Sequence, residues 1–453
     1  MSLHITSCAP KVYDDPIPVM LDREAGYQAR QQAAVQAEAK MPRDPRRIEA
    51  LHKMLWEPRY LHAQRRYAID QLLQYDPDFK QKLDRRIVLL RNGQTRQYVF
   101  DLAVERKWKD FTPALVRAYA QPVKGISDAG RPERAAIQKL NPDRPVEDVI
   151  FDVFANAEKG YDYRQQVAAW ALLCRTSSRD ALIALLDSAP DGTTLVSDLR
   201  VTASQLGVLP YGREGVLWMA SWRDPEHASF WTSARDVVAT LDREQRRGLD
   251  MRHLPVLVEA DTAVLQRSAA ELAGRIETQL ARAQHYYKGP TYDAPLSAHP
   301  QRFSHWRDQL VWADLVTIET LLQLLRDRAL VSSLFQQADA DELDSTTEYG
   351  GVLELTSGPP KAVAFEPLAR VNNWKYVPHQ DMMQQLYTSL AHYHFHAQSH
   401  RNSDHAGPGQ GDLRMADNVR AACVVFTFVT KDKLNVDYYH HGGVVVDLGT
   451  VVR

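Results

Sequence analysis

Between residues 392 and 413 the chain reads HYHFHAQSHRNSDHAGPGQGDL, with five of its sixteen histidines ahead of Ala406. Imidazole is the commonest protein ligand for zinc, so their spacing matters more than their number. SLAHYHFHAQ has the character of a strand that ends in a loop, and successive strand side chains point to opposite faces. His392, His394 and His396 are therefore expected on one side, with Tyr393 and Phe395 on the other. Two histidines at i and i+2 present two imidazole nitrogens to one ion. A hydrolytic zinc site takes three protein ligands and keeps a fourth position for water. The third ligand is expected from Asp412, which opens a predicted helix after the glycine-rich GPGQG and can aim its carboxylate back at the strand end. The water also needs a proton acceptor that does not itself bind the metal. Glu348, just before Gly350-Gly351 and the first strand of the same region, has that position.

The register leaves a choice. His392 with His394 makes the same spacing. His394 with His396 is preferred because ligands belong at the strand's exit, nearest the loop that carries Asp412, and His392 is then an outer partner or a core residue. His400 and His405 read as loop residues. Tyr438, Tyr439, His440 and His441 form a second cluster, expected where a strand ends in a turn.

The elements that must position these groups follow from periodicity. After residue 347, GGVLEL, KAVAFEP, LAHYHFH, ACVVFTFVT, LNVDYYH and GGVVVDLGTVV are short β-rich runs bounded by turn residues. HQDMMQQLYTSL and GDLRMADNVRAA read as helices between them. Residues 345–453 are thus expected to form a compact α/β domain with a mixed sheet. Upstream, residues 45–287 are helical almost throughout. Val146, Val149, Ile150 and Val153 share a helix face, as do Val167, Trp170, Ala171 and Cys174. Short amphipathic helices in succession bury their stripes most economically by stacking as hairpins, an α-solenoid or irregular helical array. Residues 1–44 read as a partly disordered lead-in with one short helix, and the proline-rich 288–302 as a linker. A long helix is expected to follow within 288–344, with Leu315, Ile318, Leu322 and Leu325 on one face, closed by the acidic QADADELDSTTE.

With these residues in place, the C-terminal region resembles the JAMM metalloproteases (MPN-plus, JAB domain). The pattern is E-x-G-G before an apolar strand, then H-x-H at a strand end, then a loop reaching P-x-x-x-D-L. The resemblance implies an α/β fold related to the deaminases. It implies zinc held by His394, His396 and Asp412, with Glu348 as general base. It also implies hydrolysis of amide bonds, often isopeptide bonds to ubiquitin-like tails. It covers roughly residues 345–453. Three departures stand out. Ala397 follows the second histidine where the family has proline. Gly409 stands where the family has a serine that stabilises the oxyanion. The stretch from His396 to Asp412 is several residues longer. Ser399 or Ser403 offers a hydroxyl in that stretch. Separately, RPVEDVIFDVFANAEKGYDYRQQVAAWALL is weakly similar to HEAT-type repeats, without a clean period.

The expected function is a zinc-dependent peptidase or isopeptidase whose protein or peptide substrate is presented by the helical region. The alternative is a catalytically degenerate module in a helical scaffold that binds a protein partner. A deaminase-like reaction is a third reading, disfavoured because no cysteine lies near the histidines in sequence. Composition narrows the partners. The formal net charge is −2, which gives no reason to expect nucleic acid. Cys8, Cys174 and Cys423 are far apart and make no CxxC zinc site. No run is long and apolar enough to span a membrane. A soluble, cytoplasmic protein is expected. Ile5-Thr6-Ser7-Cys8 resembles the end of a bacterial lipoprotein cleavage site, which would instead give a lipid-anchored envelope protein.

Overall fold

The computed structural model describes residues 11–91, 93–123, 125–156, 161–189, 194–287, 300–355 and 358–453. Among them are 23 α-helices and, at the C-terminal end, one six-stranded sheet. None of the described helices is long and apolar enough to cross a membrane. The chain separates into two compact units, one reaching Ser177 and the other starting at Ser178.

The described part of the first unit is helical. Pro45–Trp56 packs against His62–Tyr75, and Val146–Ala155 against Tyr161–Thr176. Pro45 sits at the first helical position, and Asp44 caps that helix by accepting the Arg46 N–H at 2.8 Å. On Val146–Ala155 the predicted stripe is buried at Val146, Val149 and Ile150, but Val153 is only half-buried and Phe154 completes the face. Val167 and Trp170 are buried as expected, whereas Ala171 and Cys174 are half-exposed. Leu172 and Leu173 are buried in their place, because this helix packs on Thr112–Ala120 as well as on Val146–Ala155. The expected lead-in is also folded over its described part. Ile17–Leu21 and Tyr27–Lys40 are helices that bury Met20, Ala33, Ala34 and Ala37. The alanines give a face flat enough for close packing that a hydropathy reading passes over. Cys8 lies outside the described residues, as does the proline-rich stretch through residue 299.

The second unit holds the sheet and the helices from Arg179 onward. Trp218 and Trp222 join the two. Both indole N–H groups donate to the Tyr387 carbonyl, at 2.7 and 2.8 Å, just after the helix Gln380–Leu386. The expected long helix is two helices, Trp312–Leu324 and Arg328–Glu342. Asp327 restarts the second by accepting the Leu330 N–H at 2.8 Å. The acidic QADADE lies inside that second helix rather than after it.

The six strands are β1 Gly350–Glu354, β2 Lys361–Phe365, β3 Ala391–His396, β4 Cys423–Thr430, β5 Lys433–His440 and β6 Val444–Val452. Their order across the sheet is β2-β1-β3-β4-β5-β6, with only β3 and β4 parallel. A parallel pair needs a crossover, here supplied by the loop after His396 and the helix Gln410–Val419. β3 and the first seven residues of β4 are buried, as central strands covered on both faces must be. Tyr393, Phe395 and Phe428 point toward the helix Arg328–Glu342, where the Tyr393 hydroxyl donates to Gln337 and Phe428 meets Phe335. The three histidines of β3 point the other way.

Candidate metal centre

Strand alternation puts His392, His394 and His396 in a row, with ring centroids 5.8 and 5.1 Å apart along it. The crossover then returns the chain above this row. Gly409 N-caps Gln410–Val419, and Asp412, in its first turn, accepts the Gly409 N–H on Oδ2 at 2.6 Å. That hydrogen bond satisfies one of the unpaired amides at the helix start and holds the carboxylate toward the strand. The same Oδ2 lies 3.5 Å from His394 Nε2 and 3.5 Å from His396 Nε2, and the two Nε2 atoms are 3.3 Å apart. His394, His396 and Asp412 are the group among the described residues whose donor atoms converge closely enough to hold a metal.

The triangle suits zinc. Zn–N and Zn–O bonds of about 2.0–2.1 Å in a tetrahedron place neighbouring ligand atoms about 3.3 Å apart. The two imidazoles and one carboxylate are already at that separation. His396 Nδ1 lies 2.9 Å from the His405 carbonyl, an arrangement that puts the ring hydrogen on Nδ1 and frees Nε2 for a metal. His405 therefore contributes through its backbone, not through the side chain that made it conspicuous in the sequence. His392 stands outside the triangle. Its Nδ1 pairs with Gly351 O at 3.0 Å, and its ring stacks between His394 and Tyr376. The alternative His392–His394 pair is not the one that meets Asp412.

Charge follows geometry. Burial disfavours ionised Asp412, but the imidazoles of His394 and His396 outweigh it and hold the carboxyl far below the usual carboxylate range. Burial acts against a charged His396 too, yet Asp412 and Glu348 push its pKa up to about 9. Without a metal, a proton bridges this pair. A divalent cation held by the three residues would take the place of that proton. His392, away from the carboxylate, is pushed down to about 3 by burial and by its neighbour His394.

Glu348 precedes β1. The antiparallel pairing of Gly350 with His394, carried on by the Phe395 N–H to Tyr349 O bond at 3.1 Å, sets Glu348 opposite His396. The two glycines that follow are required by close strand packing. A Cβ on Gly351 would stand 1.9 Å from Val363 O, and one on Gly350 would stand 2.7 Å from Tyr393 O. Glu348 is 4% exposed, and burial raises its pKa against the pull of His396 and His394. The structure thus brings together all four residues expected from the sequence: Glu348, His394, His396 and Asp412.

Other expectations separate. Gly409 has φ −79°, an ordinary value for any residue, and an added Cβ would be 3.4 Å from Asp412 Oδ2. The exposed Ser399 uses its hydroxyl to accept the Arg401 N–H at 3.2 Å. In the second cluster, Tyr439 faces His394, ring centroids 6.4 Å apart. His440 points to the opposite side of the sheet. There Asp314 pairs with Arg252 at 2.9 Å and with His253 at 2.8 Å, and burial with the Arg252 charge pushes His440 down to about 4. Cys423 pairs with His392 across the sheet, but burial pushes its thiol up, away from the thiolate a metal would need.

Sequence reasoning missed Asp341 and Gln398. Asp341, in an acidic run, is buried, accepts the Tyr349 N–H at 3.0 Å, and is pushed up to about 8 by burial and Glu348. Its helical spacing from Leu334 and Ala338 puts it on the buried face of that helix, whereas its neighbours Asp339 and Glu342 are half-buried. Compared with protein-family models, curated proteins and solved structures, the chain matches none of them.

Proposed function

We propose that residues 345–453 form a zinc-dependent amide hydrolase, a peptidase or isopeptidase of JAMM type. The observation that carries this reading is the near-equilateral triangle of His394 Nε2, His396 Nε2 and Asp412 Oδ2, with sides of 3.3, 3.5 and 3.5 Å, opposite a buried glutamate. His394, His396 and Asp412 hold the zinc. A bound zinc supplies Lewis acidity, polarising the scissile carbonyl and making the attacking water more acidic. Glu348 accepts the proton from that water and returns it to the leaving amine, a role suited to a carboxylate whose pKa burial has raised. The JAB-like fold and a HEAT-like character of the helical region belong to this proposal, with that region presenting a protein or peptide substrate.

The test is a peptide-library cleavage assay on protein purified without chelators, comparing wild type with Glu348→Gln. Zinc-dependent cleavage in the wild type and its loss in the variant support hydrolysis. A second reading, a metal-binding but non-catalytic module in a helical scaffold, is favoured by Gly409 and Ala397, which lack the family's serine and proline. Stoichiometric zinc with no cleavage of any peptide selects it.

A further inference from the structure

Glu348 is gripped on both oxygens. The Tyr376 N–H donates to Oε2 at 3.1 Å, and Gln398 Nε2 donates to Oε1 at 2.9 Å. The same Gln398 nitrogen donates to the Asn373 carbonyl at 2.6 Å. A carboxylate and a backbone carbonyl only accept hydrogen bonds, so both demand the NH₂ end of the Gln398 amide. Its Oε1 must then face away, where it accepts from Asn402 Nδ2 at 2.7 Å. Asn402 Nδ2 also donates to His396 O at 3.0 Å, and that carbonyl can accept but never donate. The orientation of each amide is therefore dictated by the next, from the backbone of a proposed metal ligand to the proposed base. Asn402 is buried, and its own N–H is anchored on Phe428 O of β4 at 2.9 Å.

We infer that Gln398 is a positioning residue for Glu348, its amide held donor-first against the carboxylate by Asn402. The inference rests on the hydrolase reading above and adds to it a use for the unusually long stretch between His396 and Asp412. Both residues of the relay lie in that stretch, beside the loop that holds Asn373 and Tyr376. A carboxylate fixed on both oxygens cannot turn about its last bond. Its free lone pairs stay aimed at one place, which is what a general base must do to meet a water repeatedly. The donor also favours the ionised base against the burial that opposes it.

The test uses the full chain and three variants. Gln398→Met keeps the bulk and removes the donor. Gln398→Glu keeps the shape and sets a second carboxyl beside the first. Asn402→Asp touches neither oxygen of Glu348 but removes the donor that orients Gln398. Ionisation of the Glu348 carboxyl is followed on metal-free protein by infrared difference spectroscopy, with Glu348→Gln identifying the band. Zinc content and the pH profile of cleavage are measured in parallel. In all three variants the Glu348 midpoint rises, by about one pH unit for Gln398→Met, a tenfold smaller ionised fraction on the acid side. The acid limb of kcat moves with it, and kcat falls about tenfold or more while KM and zinc stoichiometry stay put. A midpoint unmoved in Gln398→Met, with only thermal stability reduced, overturns the inference and leaves Gln398 as a loop tie. If the wild type cleaves nothing, the hydrolase reading falls, while the carboxyl titration still reports whether Gln398 controls Glu348.

Discussion

His394 Nε2 and His396 Nε2 lie 3.3 Å apart on one face of β3, the separation two nitrogens need to share one tetrahedral zinc. Asp412 Oδ2 completes the set at 3.5 Å from each, although fifteen residues of loop and helix start lie between it and His396 in the chain.

On the proposed function, zinc competes with a proton at this site. Because His396 without metal is pushed up to about 9, zinc affinity rises about tenfold per pH unit up to that pH, with proton release on binding. Calorimetry in buffers of different ionisation enthalpy measures the released proton. Asp412→Asn removes the charge that draws both imidazoles together and weakens zinc binding by more than about a hundredfold, beyond the loss typical of an outer-sphere partner. Equal zinc retention in wild type and variant would exclude Asp412 as a ligand.

Restoring a hydroxyl at the helix start tests what the glycine costs. The backbone of Gly409 admits serine, and the added Cβ would meet nothing nearer than Asp412 Oδ2 at 3.4 Å. If a serine there serves as an oxyanion donor, Gly409→Ser raises kcat by up to about a hundredfold with zinc content unchanged. An unchanged kcat on a peptide that the wild type cleaves would place the oxyanion elsewhere.

Asp341 gives a pH-dependent stability. Burial and Glu348 push its pKa up to about 8, above the ordinary 3.8 of the unfolded chain. The folded state therefore binds the extra proton, so this contribution is complete below about pH 3.8 and is lost as pH rises through about 8. Asp341→Asn keeps an oxygen for the Tyr349 N–H and removes the ionisation. Its Tm should exceed that of the wild type by several degrees at pH 8 and match it near pH 4, as read by calorimetry. A constant difference across that range would show that Asp341 does not titrate as described.

The glycine pair before β1 is a steric requirement. Gly351→Ala sets a Cβ 1.9 Å from Val363 O, so β2 must move away from β1. The expected cost is about 3 kcal/mol or more in urea denaturation, at the upper end for overpacking because the obstacle is backbone and not a flexible side chain. Wild-type stability in this variant would mean that β1 and β2 do not pack as closely as described.

Much of this organisation is legible in the chain. The six β-rich runs after residue 347 became six strands because β-branched and aromatic residues, bounded by turn formers, are a local signal. Strand alternation alone placed His392, His394 and His396 on one face. Other features were not legible. Trp312–Leu324 and Arg328–Glu342 read as one helix because periodicity continues through the cap at Asp327. The helices from Arg179 read as a continued array because nothing local says that Trp218 and Trp222 will meet the Tyr387 carbonyl. Gln398 is an ordinary polar residue until the fold turns it toward Glu348.

The amino-acid sequence by itself determined the donor types, their order along the chain and the faces they occupy, because side-chain chemistry and strand periodicity are local properties. Only the tertiary structure decided which histidine pair meets Asp412 and what holds Glu348. Those distances depend on the β1–β3 register and on where the crossover helix starts, and both are set by packing between residues far apart in the chain.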